Sequence, residues 1–301
     1  MSIMDLIRAR HSTRRYEMKK ISPSTLEVVM TAARESEELV AGLKVAFHLL
    51  DDEGGIGRQL MGVAGRYGQI IKAPHFVVAL SEKQPGYMEN LGFRMEAMIL
   101  EATRHGLGTC WTGGMWKEAR LREFMNIGSD MRVIALTPVG FEDRSLSGSL
   151  FNKALSVSAP NRARRHPFEK IVYKEKWEMS TREGKIPVPL RDCLEAARLA
   201  PSWGNFQPSR FLVSRDYTIV TAMEQRAAFV KNQKEGKPYF RLDAGIAMQH
   251  FQALWQEKDN TTYGWNVSSF DSQEFKARHA IPEKVEIIGV FPVGLLRQGT
   301  E

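Results

Sequence analysis

The chain has 301 residues, enough to bury one large core or two domains of about 150 residues each. Hydrophobic residues make up 43% and charged residues 26%, which excludes disordered, collagenous and disulfide-stapled classes. The formal net charge of +7 admits nucleic acid, a membrane surface or a phosphate-bearing ligand as partner. No apolar run reaches the roughly 18 residues of a membrane span, and "MSIMDLIRAR" (1–10) carries charge where an export signal has its apolar segment. Cys110 and Cys193 make no disulfide framework and suit a reducing cytoplasm, so the sequons at Asn260 and Asn266 read as chance matches.

In chain order, "IRARHSTRRY" (7–16) comes first, with four arginines between Arg8 and Arg15. A helix is predicted next, with Ser22 as N-cap and Pro23 in its first turn. Its apolar face is Leu26, Val29, Met30 and Ala33, in i, i+3, i+4, i+7 spacing. A strand over 44–50, a long helix over about 90–105 and a closing strand ending in Pro-Val-Gly (133–140) complete the first half. "GLGTCWTGG" (106–114) contains a G-x-G, but a helix precedes it where a dinucleotide-binding fingerprint needs a strand. Gly106 is expected to end that helix. Thr112, Gly113 and Gly114 would let backbone amides approach a flat ligand or an anion. A second basic cluster, "NRARRH" (161–166), precedes a charged, apolar-poor join near 174–188.

The rest repeats what came before. "TLEVVMTAARESEELVAGLKVAFHLL" (25–50) aligns without a gap with "PLRDCLEAARLAPSWGNFQPSRFLVS" (189–214), at an offset that superimposes Phe47 on Phe211. Leu190, Cys193, Leu194 and Ala197 mirror the first helix face. "FRMEAMI" (93–99) resembles "FRLDAGI" (240–246), and "VIALTPVG" (133–140) resembles "IIGVFPVG" (287–294). Three collinear matches predict a duplicated fold. The second half accordingly has a strand over 209–215, a helix over about 238–257 and a closing strand. Helices and strands without regular alternation predict an α+β class, with helices on an antiparallel or mixed sheet. A fused pair of halves imitates the two-fold symmetry of a homodimer.

These motifs resemble those of the FMN-dependent nitroreductase family. "RHSTRRY" (10–16) is similar to the family's opening Arg-Arg/His-Ser-x-Arg/Lys signature. "AARLAPSWGNFQPSRF" (196–211) is similar to its Ala-Pro-Ser-x-x-Asn-x-Gln-Pro loop. "EATRHGLGTCWTGG" (101–114) and "NRARRHPFEKIVYKEKW" (161–177) resemble its glycine segment and the basic tail that ends its subunits. The resemblance implies a nitroreductase-like fold in two pseudo-equivalent halves, 1–175 and 176–301, each with helices packed on a mostly antiparallel sheet. In that family two subunits build flavin sites across their interface, one giving the signature, glycine pair and tail, the other the loop. Here Glu37, Glu38 and Ala41 stand where Pro201, Ser202 and Asn205 stand in the second half. "TTYGWNV" (261–267) replaces the glycine segment there. Each half has lost what the other keeps, which implies one complete FMN site per chain and a monomer acting as a pseudo-dimer.

The resemblance assigns Arg10, Ser12 and Arg14 to the phosphate or the carbonyl edge of the flavin. It places His11 near the flavin, and either Arg164 or Arg165 on the phosphate. Thr112, Gly113 and Gly114 approach the cofactor, as do Pro201, Ser202 and Asn205. Gln207 either joins them or bonds within its own loop. Trp203 and Phe206 line the substrate side or pack in a core, and Trp111 and Trp116 read as core. Arg15 occupies a position that the signature leaves free. The implied reaction is ping-pong: NADH or NADPH gives a hydride to FMN, and a nitroaromatic, quinone or similar acceptor takes the electrons. The same fold also hosts dehalogenation, oxidation of small substrates and flavin binding with little turnover. No residue pattern for a protein nucleophile or a metal site is present, and a small molecule rather than nucleic acid or a membrane is the expected partner.

Overall fold

The computed structural model describes residues 1–51, 71–112, 118–150, 165–179, 186–215, 218–223, 237–258, 264–267 and 273–293. It divides into two compact units, Met1–Ala163 and Arg164–Glu301.

The first unit opens on α1 (Ile3–Ala9), whose N-terminus carries a reciprocal cap. The Ser2 hydroxyl accepts from Asp5 N–H while the Asp5 carboxylate accepts from Ser2 N–H. Helix α2 (Pro23–Arg34) starts at the N-cap Ser22 and buries Leu26, Val29, Met30 and Ala33. It packs on α3 (Tyr87–Arg104), the largely buried central helix. Two backbone bonds, Gly106 N–H to Thr103 O and Leu107 N–H to Ala102 O, close α3 around Gly106 at φ +70°. Strands β1 (Val45–Asp51), β2 (His75–Glu82), β3 (Gly108–Thr109) and β4 (Met131–Gly140) form an antiparallel sheet in the order β1-β2-β4-β3. β2 is buried along nearly its whole length, as a strand covered on both faces must be. Helix α4 (Glu118–Met125) contributes Leu121 to a core of Phe76, Val78, Leu80, Val133 and Leu136.

The second unit repeats this plan. Helix α5 (Val188–Arg198) buries Leu190, Cys193, Leu194 and Ala197 and packs on the central helix α6 (Tyr239–Glu257). Strand β5 (Val172–Lys174) pairs in parallel with β6 (Ser209–Val213), which continues antiparallel through β7 (Thr218–Met223) to β8 (Val285–Phe291). Helix α7 (Gln273–Arg278) precedes β8. Rings of Phe251, Trp255, Trp265 and Phe291 meet edge-on, tilted or stacked at 5.0–6.0 Å between centroids.

The meander β1-β2-β4 thus corresponds to β6-β7-β8, down to its irregularity. The β2–β4 register passes from Ala79↔Ala135 to Leu80↔Val133, leaving Ile134 as an extra residue. The β7–β8 register passes from Val220↔Gly289 to Thr221↔Ile287, leaving Ile288. The halves differ at their fourth strand and at one strand end. β4 runs through Pro138 because Val139 and Gly140 go on pairing with β2 and β3. β8 stops at Phe291, before Pro292, which has no N–H to extend a ladder.

Candidate functional site

In the first unit the opening signature leaves α1 at its C-cap, Arg10, and runs extended along the sheet. Ser12 bridges Thr109 in parallel, Thr13 N–H donates to Thr109 O at 2.8 Å, and Tyr16 bridges Glu142. The Tyr16 hydroxyl donates back to Thr13 O at 2.6 Å. Gly108 has no side chain for a reason visible here: a Cβ would meet Thr13 Oγ1 at 2.5 Å. The signature and the start of the glycine segment are therefore held side by side by backbone bonds and one close packing contact.

That clamp turns two arginines inward and one outward. The Arg10 side chain is 8% exposed, and its Nε has no hydrogen-bond partner among the described residues. The nearest acid, Glu96 on α3, lies 4.0 Å away and is wholly buried. Arg14 is buried and donates from Nη1 to Ser12 O at 3.2 Å. Arg15 faces outward and pairs with Asp143 at 3.3 Å. His11 is exposed, with Nδ1 2.9 Å from Ala9 O and Nε2 3.2 Å from Glu142. Trp111 is half-buried, and its indole N–H donates to the other Glu96 oxygen at 2.6 Å. Thr112 exchanges backbone bonds with Leu136 and donates its hydroxyl to Leu136 O. Gly113, Gly114 and Trp116 lie outside the described residues.

In the second unit the loop after α5 has a conformation that needs support. Gly204, Asn205 and Gln207 all have positive φ, at 56°, 57° and 50°. The last is costly for a residue with a Cβ, on the order of 1–2 kcal/mol. Gln207 is locked from three sides. Its N–H donates to Ser202 Oγ at 2.9 Å, its Oε1 accepts from His166 N–H at 2.8 Å, and its Nε2 donates to Asn205 O at 3.3 Å. Gln207 thus bonds within and around its own loop. Trp203 stacks on Tyr239 at 5.8 Å and 27°, and its backbone N–H donates to both carboxyl oxygens of Asp243, at 3.0 and 3.1 Å. Phe206 is exposed, and Pro201, Ser202 and Asn205 are half-buried. A small cavity beneath the loop is lined by Pro201, Ser202, Gln207, Arg198 and Asp243, among others.

Arg165 serves the same loop from beneath. Its Nη1 and Nη2 donate to Ala200 O and Leu199 O, at 2.6 and 2.8 Å, capping the carbonyls that α5 leaves open. Arg164 lies outside the described residues. In the first unit α2 is closed differently: Arg94 donates to Ala33 O and Arg34 O and pairs with Glu38 at 3.0 Å. Asn90 there accepts the N–H groups of Leu39 and Val40, so the first-half counterpart of the loop is tied down on α3.

Sequence reasoning passed over Glu96 and Asp243. Burial pushes the Asp243 carboxyl up to about 8, although Trp203 N–H and the Arg165 charge pull it down. The signal was the FRMEAMI/FRLDAGI match, in which these two acids align. Among the described residues no helix is long and apolar enough to cross a membrane, and no cluster of His, Cys, Asp and Glu could hold a metal ion.

A duplicated α+β meander of this kind, with an arginine-bearing entry segment and a strained polar loop, defines a nitroreductase-like fold. The sequence matches the family described as "Putative TM nitroreductase" over residues 2–254. The chain belongs to that nitroreductase family. Among solved structures it is similar to a protein of Thermotoga maritima MSB8 described as a "putative nitroreductase", at 16% identity and a TM-score of 0.58, covering 97% of this chain and 94% of that one. A nitroreductase family protein of Clostridium novyi NT matches 62% of this chain and 100% of its own, at 20% identity and a TM-score of 0.44. An FMN-dependent nitroreductase of Clostridium difficile R20291 matches 47% and 88%, at 20% identity and a TM-score of 0.42. A search of curated proteins gives no match.

Proposed function

We propose that the protein is an FMN-dependent oxidoreductase holding one flavin per chain. The observation that carries this reading is Arg10: a side chain 8% exposed whose Nε lacks a hydrogen-bond partner among the described residues. The acid beside it, Glu96, stands at ion-pair distance but beyond a hydrogen bond, so the guanidinium charge is also available to an anionic ligand. Ser12 and Arg14 lie on the same pinned segment and suit the same phosphate-bearing or carbonyl-edged ligand. When bound, FMN supplies the redox chemistry, taking hydride from NADH or NADPH and passing electrons to a nitroaromatic, quinone or similar acceptor.

The chain's own residues bind and orient. Arg10 and Arg14 offer fixed positive charge to the anionic cofactor. Ser202 and Asn205 add short hydrogen-bonding groups from a loop whose shape is set by Gln207 and Asp243. Trp203 and the exposed Phe206 offer flat apolar surface to an aromatic acceptor. The division of motifs between the halves, with Glu37, Glu38 and Ala41 in place of Pro201, Ser202 and Asn205, supports a single site and a monomer that acts as a pseudo-dimer.

Purified protein should be yellow, with flavin-like absorbance that bleaches on adding NADH or NADPH under argon. Flavin that stays oxidised with both donors would refute the NAD(P)H-dependent reductase and leave a binding protein. Colourless protein that takes up no added FMN would refute the flavin reading itself.

A further inference from the structure

The internal repeat aligns Glu96 of FRMEAMI with Asp243 of FRLDAGI, one on each central helix. Both acids are buried, Glu96 wholly and Asp243 at 3% exposure. Each accepts an N–H from a tryptophan that belongs to a site motif. Glu96 takes the Trp111 indole N–H at 2.6 Å, and Asp243 takes the Trp203 backbone N–H on both oxygens. Glu96 also stands 4.0 Å from the Arg10 guanidinium. Burying a carboxyl is costly, so a fold that keeps one at the same place in both halves gains something specific from it.

We infer that Glu96 and Asp243 are a duplicated pair of positioning residues, each anchoring to its own central helix the part of the site that its half retains. Glu96 fixes the opening signature through Arg10 and the glycine segment through Trp111. Asp243 fixes the Pro-Ser-x-x-Asn loop through the Trp203 backbone N–H at the foot of the loop. The residues have diverged with the motifs they serve. The longer Glu reaches a side-chain N–H and an ion pair, whereas the shorter Asp stays close to a backbone N–H and the foot of the loop. The inference rests on the flavin reading only in treating these motifs as parts of one site.

Amide hydrogen exchange on the full chain tests it without reference to turnover. Asp243→Ala should speed exchange in the 200–208 peptide by on the order of fivefold or more, and leave 10–16 and 107–112 unchanged. Glu96→Ala should do the reverse. Asp243→Asn keeps an acceptor for Trp203 N–H and should restore most of the protection. Glu96→Gln keeps the acceptor for Trp111 but loses the charge facing Arg10, so it should protect 107–112 and not 10–16. These two conservative variants also serve if an alanine variant does not fold. With flavin added, both alanine variants should retain it several-fold less tightly, and Asp243→Asn should restore retention. Exchange that rises evenly over the chain, or not at all, would overturn the inference. So would conservative variants that behave like the alanine ones. If the wild-type chain takes up no flavin, the proposed function fails while the exchange pattern still decides this question.

Discussion

Ile134 and Ile288 are the extra residues of two β-bulges, 154 positions apart, in sheets built from different halves of one chain. That separation is the one that superimposes VIALTPVG on IIGVFPVG. A bulge is a local defect in the ladder that redirects a strand, and nothing in hydrophobic patterning demands it at one place in particular. Its recurrence at the same repeat position marks the halves as copies of one unit, and the differences between them then become informative about function.

The first difference is chemical. Arg10→Ala or Arg14→Ala should lower flavin retention by tenfold or more, as expected for loss of a charge-assisted bond worth roughly 1.5–3 kcal/mol. Asn205→Ala should also weaken retention. Ala41→Ser, at the corresponding place in the first half, should change retention little. Dialysis followed by flavin fluorescence of the retained fraction measures all four.

A pH dependence follows from Asp243. Burial pushes its carboxyl up from the ordinary 3.8 to about 8 in the folded chain. Between about pH 4 and 8 the folded protein therefore holds a proton that the unfolded chain has released. The folded state loses stability as pH rises through that window, and the loss levels off above it. Asp243→Asn removes the titration, so its stability relative to wild type should climb from pH 5 to pH 8.5. The gain should be on the order of a few kcal/mol and at most about 5. Urea midpoints at the two pH values give the sign.

Packing makes its own prediction at Gly108. A Cβ there would lie 2.5 Å from Thr13 Oγ1 and 2.8 Å from Thr13 Cβ. Gly108→Ala should cost about 1–3 kcal/mol by forcing apart the segment that carries Arg10 to Arg14. Thr13→Gly should recover part of that cost in a double-mutant cycle of urea unfolding.

Arg94 replaces in the first unit what Arg165 does in the second. It is buried, donates to the two terminal carbonyls of α2 and pairs with Glu38, while burial pulls its pKa down. Arg94→Ala should destabilise the chain by about 2–4 kcal/mol, by leaving those carbonyls open and a cavity behind. Arg165→Ala should cost less, because Gln207 and Asp243 still hold the loop. Thermal unfolding of the two variants ranks them.

Much of the fold was legible in the sequence because periodicity reports burial. The face Leu26, Val29, Met30, Ala33 and its mirror Leu190, Cys193, Leu194, Ala197 are buried in α2 and α5 as expected. Ser22 caps α2, and Gly106 closes α3 in the left-handed region. The stop of β8 at Phe291 was not foreseen, because a Pro-Val-Gly shared with β4 does not reveal whether strands flank it. Motif reading pointed to residues able to offer hydrogen bonds to a ligand and passed over the buried acids that hold their segments. Glu96 and Asp243 sit inside helical runs where a lone acid resembles a solvated one, and only tertiary packing shows that both are buried. Arg165 carries the same lesson in reverse, since a basic tail looks the same in sequence whether it meets a phosphate or helix carbonyls.

The most direct test of the central claim is the FMN content of the purified chain after saturation and gel filtration, measured by flavin absorbance against protein concentration. One complete site per chain predicts a ratio near one. A ratio near two would show that the second pseudo-equivalent site is intact, and a ratio near zero would contradict the flavin reading altogether.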